Sequence, residues 1–370
     1  MDITNALPRQ KEPKNLGIEL FRITAMILIV LLHVLGQGGV YAHTEYLGTN
    51  YKIAWFLETA AYCSVNCYAL ISGFVGVRSR FRFRKIVYLW LEVIFITLTT
   101  TALFSLRLPD AVTTDDWLKA AFPLIKREYW YFNAYVLMFP FLPFLNKGIL
   151  SISRRQHLAA MLFLFVVTSL LPLFTERDIF ELSNGYSTIW LMVLYLFGAY
   201  FKLYGIPKIA HPIVCLLLFF GATFAAWGQK ISILFAIKNG TIQDESLLAQ
   251  SAGDLIGYTS PCMVIMALSL LWLFVQIRVR GKIASVIISN LGKATFGVFL
   301  VHVGAVVWKF IDGRWEHYAE MTPFMMTLSV LVTTVFMYLV CSLYSLLRIY
   351  LFQLLRVHQA VDTVADRLSS

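Results

Sequence analysis

The chain has 370 residues, 59% of them hydrophobic and only 14% charged, with a mean hydropathy of +0.70. Soluble domains carry roughly 25% charged residues and about 45–50% apolar ones, so too few charges are present to clothe a water-facing surface. A nucleic-acid module, a secreted disulfide scaffold and a soluble enzyme are excluded, and the net charge of +10 reads as membrane topology rather than as a polyanionic partner such as nucleic acid.

Windows of about 20 apolar residues, the length that crosses a bilayer core as a helix, predict ten spans, at 16–37, 53–77, 86–106, 129–145, 158–174, 187–204, 212–228, 254–277, 294–311 and 322–347. The fold class expected is therefore all-α: a polytopic membrane protein with about ten transmembrane helices. Residues 1–15 form a polar, basic segment that lacks the apolar stretch and small-residue cleavage site of a signal peptide. Residues 16–347 make one membrane domain, and 348–370 a tail in which Val357, Val361 and Val364 recur as on a surface helix. Pro140 and Pro143 should break the fourth span. Cys63, Cys67, Cys215, Cys262 and Cys341 lie in apolar stretches without a CxxC pair, so they read as reduced residues of the membrane core, and no metal site is expected.

Orientation follows from the loops. Twenty Lys and Arg residues fall on one side of the predicted spans and ten on the other. The positive-inside rule then puts both termini in the cytoplasm and the longest loop, 229–253, outside.

The first span carries Glu19, Arg22 and His33 in an otherwise apolar run. Ionisable groups inside a membrane are costly enough that they usually face a cavity or a partner. At about 100° per residue, Arg22 and His33 fall about 20° apart around the helix, with Glu19 about 40° to the other side of His33. Glu19 and Arg22, at i and i+3, are placed to form an ion pair near the cytoplasmic end. His33 lies about 25 Å along the helix from Leu16, toward the outer side. Spacing leaves two readings open: a helix-end anchor with a hydrogen-bonded interfacial imidazole, or a general base at neutral pH.

Between the second and third spans, Arg78, Arg80, Arg82, Arg84 and Lys85 alternate with Phe81 and Phe83. Such a stretch offers cations to phosphates and rings to a base, or simply obeys the positive-inside rule and attracts anionic lipid. Asn66, Trp130 and His302 are candidate substrate contacts. The structural alternatives are close helix packing around Asn66, an aromatic belt at Trp130, and a cross-helix hydrogen bond for His302, which lies about 15 Å along its helix from Gly292.

Four segments, in chain order, resemble acyltransferase family 3, membrane enzymes that acylate sugars and polymers. Gly17-Ile-Glu-Leu-Phe-Arg22 with His33 eleven residues later is similar to that family's opening helix, with Glu19 where Asp is more usual. Val65-Asn-Cys-Tyr-Ala-Leu-Ile-Ser-Gly-Phe74, Tyr129-Trp-Tyr-Phe-Asn-Ala-Tyr135 and Leu291-Gly-Lys-Ala-Thr-Phe-Gly-Val-Phe-Leu-Val-His302 resemble its later segments. The resemblance implies an O-acyltransferase in a bacterial inner or plasma membrane. Acetyl-CoA is the expected donor, entering from the cytoplasm, and a hydroxyl of a cell-envelope glycan or lipid-linked saccharide the expected acceptor. It implies His33 as general base, with Glu19 and Arg22 beside the chemistry and the basic loop on the CoA phosphates. Family members commonly carry two arginines three apart in that loop; here Arg82 is followed by Lys85. The competing reading is a transporter or flippase for a small polar solute such as an amino acid. Against it stands the lack of an inverted repeat or of matched Gly- or Pro-broken spans.

Overall fold

The computed structural model describes residues 15–79, 82–175, 178–240 and 255–369, with side chains described to residue 363. Fifteen α-helices are present among them: α1 (Leu16–Leu35), α2 (Thr49–Tyr62), α3 (Ser64–Gly76), α4 (Arg84–Arg107), α5 (Thr114–Ala121), α6 (Trp130–Met138), α7 (Leu142–Ser151), α8 (Arg154–Phe165), α9 (Thr188–Tyr204), α10 (Pro212–Lys238), α11 (Pro261–Gln276), α12 (Lys282–Val303), α13 (Ala305–Ile311), α14 (Pro323–Leu354) and α15 (Val357–Ser369). No strand occurs among the described residues. Among the described residues, seven stretches are long and apolar enough to cross a membrane: α1, α4, α6 with α7, α8 with its continuation to Phe174, α10, α12 and α14. Two shorter apolar helices, Thr188–Tyr204 and Pro261–Val275, accompany them. The predicted span 53–77 is the pair α2 and α3, divided at Cys63. The chain is an all-α polytopic membrane protein.

Local chemistry sets the helix boundaries. α10, α11 and α14 each begin with a proline, whose fixed φ suits a first turn, behind a side chain that caps the free N–H groups: His211, Ser260 and Thr322. Pro140 and Pro143 interrupt the predicted fourth span with a 3-10 turn, Phe139–Phe141, between α6 and α7.

α1 is the central element, packed against α2, α3, α11, α12 and α14. Its apolar stretch is 67% buried in protein, against 22–33% for the other six spans, which present side chains such as Phe163, Leu217 and Phe336 outward. Asn15 caps α1 by accepting from the Gly17 N–H at 2.9 Å. Any Cβ at Gly17 would run into the backbone carbonyl of Phe274, so this glycine lets the start of α1 meet the end of α11. Phe21 and Phe274 stack one turn on, centroids 5.3 Å apart.

A second seam joins α3 to α9. Gly73 faces the Tyr195 carbonyl and Gly198 the Leu70 carbonyl, with no room for a Cβ at either. Between helices in lipid, where burial against a neighbour gains little over burial against acyl chains, such backbone approach is what van der Waals packing can use. On the periphery, Arg348 of α14 and Glu92 of α4 form a buried ion pair, and Arg84 pairs with Asp362 at 2.9 Å to hold α15 against α4.

At the opposite end from the basic loop, the chain after α1 is latched to the loop between α13 and α14. Gly313 N–H donates to the Gln37 carbonyl and Trp315 N–H to the Gly38 carbonyl, at 3.0 and 2.9 Å. Gly39 turns the chain away with φ +84°, a left-handed conformation that only glycine adopts at little cost.

Candidate active site

His33 and His302 occupy the last turns of α1 and α12, and their side chains meet. His33 Nδ1 lies 2.9 Å from His302 Nε2, while His302 Nδ1 lies 2.6 Å from the backbone carbonyl of Val298. A carbonyl only accepts, so His302 carries its proton on Nδ1 and presents a lone pair at Nε2. His33 must then donate from Nδ1, which leaves His33 Nε2 as the open lone pair of the neutral pair. His302 is fully buried, and His33 is partly open. Trp308 closes one side of His33, edge to face at 4.8 Å.

The pair is held in place by a stitched break. α12 stops at Val303, Gly304 is extended, and α13 starts at Ala305, which strands carbonyls of one helix and N–H groups of the next. Tyr129 Oη donates to the Leu300 carbonyl at 2.8 Å, and the neighbouring Glu128 carboxyl accepts from the Ala305 N–H. The Tyr-Trp-Tyr-Phe segment singled out in the sequence thus starts with a residue that fixes the turn bearing His302.

Two cavities meet at His33. The larger, about 910 Å3, is polar and lies among the helix ends on the latch side, with His33, Gln37, Glu58, Tyr62, Asp178, Lys230 and Tyr258 in its wall. A π-helical turn, Val166–Leu170, gives it Thr168 and Ser169, a distortion that recurs at functional sites. The smaller, about 70 Å3, runs between α1, α3, α6 and α12 and is lined by Met26, Ile29, Val65, Tyr131, Phe296 and Phe299. Leu32, His33 and Tyr258 line both.

The other residues predicted from sequence fall in three places. Glu19 and Arg22 form the expected i,i+3 pair, Nη1 to Oε1 2.7 Å, about 16 Å along α1 from His33, and the structure does not bring them to the imidazoles. Glu19 fills the space left by Gly292, where a Cβ would strike its carboxyl. Arg22 is tied to the far side of the small cavity, because Tyr68, which lines that cavity, donates to the Arg22 carbonyl at 2.7 Å. Arg78, Arg82 and Lys85 are exposed near this same end, Arg84 is engaged by Asp362, and Arg80 lies outside the described residues. Trp130 lines the small cavity and stacks toward Tyr258. Asn66 does not face either cavity: its amide donates to the Tyr258 carbonyl at 2.7 Å and accepts from Trp190 Nε1 at 3.0 Å, which positions the Tyr258 segment.

Sequence reasoning passed over Glu58 and Lys230. Glu58 lies inside the predicted run 53–77, whereas Lys230 falls in the predicted outer loop 229–253, whose first ten residues the structure instead places in α10, which continues to Lys238. Glu92 and Arg348 were missed in the same way. Glu128 carried no signal of its own, since its role depends on a break 177 positions later.

A helical membrane bundle with one imidazole at the junction of a polar and an apolar cavity, backed by a second, buried one, has the elements of a proton-transfer site reached from two directions. The chain matches the acyltransferase domain of acyltransferase family 3 over residues 15–345 and belongs to that family. Comparison with curated proteins gives no match, and comparison with solved structures gives none.

Proposed function

We propose that the protein is an O-acetyltransferase of the bacterial inner or plasma membrane. It moves an acetyl group from acetyl-CoA to a hydroxyl of a cell-envelope glycan or lipid-linked precursor, with His33 as general base. The observation that carries this reading is the open lone pair of His33 Nε2 where the two cavities meet. The family membership supports acyl transfer, and the charge bias supports a cytoplasmic donor and an outer acceptor.

In this reaction the acceptor O–H gives its proton to His33 Nε2 as its oxygen attacks the thioester carbonyl. The tetrahedral intermediate collapses with cleavage of the C–S bond, and the leaving thiolate takes the proton back from the imidazolium. Both products are then neutral at the reacting atoms, an O-acetyl ester and the CoA thiol. His302 orients the base: by accepting from Nδ1–H it holds the tautomer that bares Nε2, the part a carboxylate plays in hydrolase triads. The narrow apolar cavity suits a short acyl group on a thin arm. Arg22 at its far end, with Arg78, Arg82 and Lys85 at the same end of the bundle, suits the phosphates of the donor.

The test is transfer of radiolabel from acetyl-CoA to a crude envelope-glycan extract, with wild type and His33→Ala in vesicles. Label is expected in glycan with the wild type alone. Equal labelling by a folded His33→Ala protein removes the proposed base.

A further inference from the structure

Glu58 of α2 is 7% exposed, and its Oε2 is buried without a hydrogen-bond partner. An unsatisfied carboxyl in such a place is costly, and the proton relay makes no use of it. Its surroundings are built. Phe56 packs on Phe224 and Trp227, at 5.1 and 5.8 Å, and Trp227 Nε1 donates to the Lys52 carbonyl at 2.9 Å, which fixes α10 against α2. One turn beyond Trp227, Lys230 arrives in the same cavity wall as Glu58. Its ammonium rests on the face of Trp55, 3.8 Å from the ring centroid, and does not close onto Glu58 as a hydrogen-bonded ion pair. Two polar groups of opposite type therefore stand open to one cavity whose wall also holds the rings of Trp55, Tyr62, Tyr258 and Trp308.

We propose that Glu58 and Lys230 form a clamp for two neighbouring hydroxyls of the acceptor. One hydroxyl donates to the Glu58 carboxyl and the other accepts from the Lys230 ammonium, while the C–H face of the sugar ring lies on the aromatic wall. A cationic ligand is disfavoured, because Lys230 already occupies the Trp55 face. An apolar ligand would leave Glu58 unsatisfied. A neutral polyhydroxylated ring meets both requirements, and its anchoring decides which of its hydroxyls reaches His33. Glu58 and Lys230 are in this sense positioning residues, and the inference rests on reading the outer cavity as the acceptor site.

The experiment is equilibrium binding to the full chain in detergent, read by tryptophan fluorescence. The probes are methyl α-D-glucopyranoside, methyl β-D-galactopyranoside and N,N′-diacetylchitobiose, with cyclohexylmethanol as the control lacking neighbouring hydroxyls. At least one saccharide is expected to give a saturable change in the wild type, and the control none. The dissociation constant should rise at least tenfold in Glu58→Gln and in Lys230→Met, with partial recovery in Glu58→Asp. Monodeoxy analogues of the binding saccharide should include one that binds worse than its parent to the wild type and equally to Glu58→Gln. If Glu58→Gln does not fold, Lys230→Met, Glu58→Asp and the deoxy series carry the comparison. Saccharide binding that ignores Glu58 and Lys230, or no binding by any probe, overturns the clamp. Clamp-dependent binding in a protein that transfers no acetyl group overturns the acetyltransferase reading and leaves the clamp standing.

Discussion

Replacing His302 with leucine isolates the contribution of the second imidazole. His302 is fully buried and supplies the only acceptor among the described residues for His33 Nδ1–H. Without it that N–H is left unpaired beside Trp308, or the ring takes the other tautomer and puts its proton on Nε2. An unsatisfied buried donor costs about 1–3 kcal/mol, and at 1.36 kcal/mol per decade that corresponds to a loss of roughly 5- to 150-fold in kcat/KM. Loss of the proposed general base in His33→Ala is worth about 10²–10⁴-fold, so His302→Leu should be the milder variant. His302→Gln offers a carbonyl oxygen in place of the imidazole nitrogen and should recover to within a few-fold of wild type. The assay is the initial rate of acetyl transfer in vesicles, with thermal melting in detergent to show that each variant is folded. Wild-type turnover by His302→Leu, or a Gln variant no better than the Leu variant, would refute the tautomer argument.

Two further outcomes follow from the packing. Gly292→Ala places a methyl on the Glu19 carboxyl, so the Arg22 pair must shift; overpacking of this kind costs about 1–3 kcal/mol, and a lowered melting temperature in detergent is expected, whereas an unchanged one refutes the contact. Asp116 anchors α5 to Lys309 at 2.6 Å. Burial disfavours its charge, but hydrogen bonds from Lys309 and Thr113 outweigh this and hold the carboxyl below its ordinary 3.8. A depressed carboxyl stabilises above its unfolded pKa and loses that contribution as pH falls through the lower folded value. The melting difference between wild type and Asp116→Asn should therefore stay constant from pH 8 to 5 and shrink only below pH 3.8; a difference that changes near neutrality contradicts this assignment.

What could be read from sequence depended on the range of the interaction. The Glu19–Arg22 pair is an i,i+3 contact within one helix, and periodicity alone placed it. The breaks at Pro140 and Pro143 are equally local. The contact between His33 and His302 spans 269 positions. Both residues were singled out, but their meeting depends on Gly292 admitting Glu19 and on the turn held by Glu128 and Tyr129, neither of which periodicity reports. Asn66 shows the opposite failure. A polar residue inside an apolar run looks like a ligand contact, yet its amide is consumed by Tyr258 and Trp190, 192 and 124 residues away. Glu58 was legible as a charge in an apolar run and was lost because the window was read for mean apolarity, which one charge scarcely lowers; Lys230 fell in the predicted loop 229–253, because the polar residues after 228 hide the continuation of α10 to Lys238. The second span was read as one helix because Cys63, where it divides, is as apolar as its neighbours and carries no Gly or Pro.

The imidazole pair ends on a backbone carbonyl rather than on a carboxylate, and this bears on the electrical behaviour of the site. One elementary charge moved across the whole bilayer is worth about 2.3 kcal/mol per 100 mV. A carboxylate in the place of His302 would add a charge within that field, and any proton it gained from or lost to one side of the membrane would be coupled to voltage. The neutral relay holds no such charge. In the proposed reaction the imidazolium forms beside the intermediate whose negative charge balances it, and both vanish within the same turnover. Separation over a few ångströms samples only a small fraction of the field, so the chemistry is insulated from swings in membrane potential while remaining embedded in the membrane that carries them.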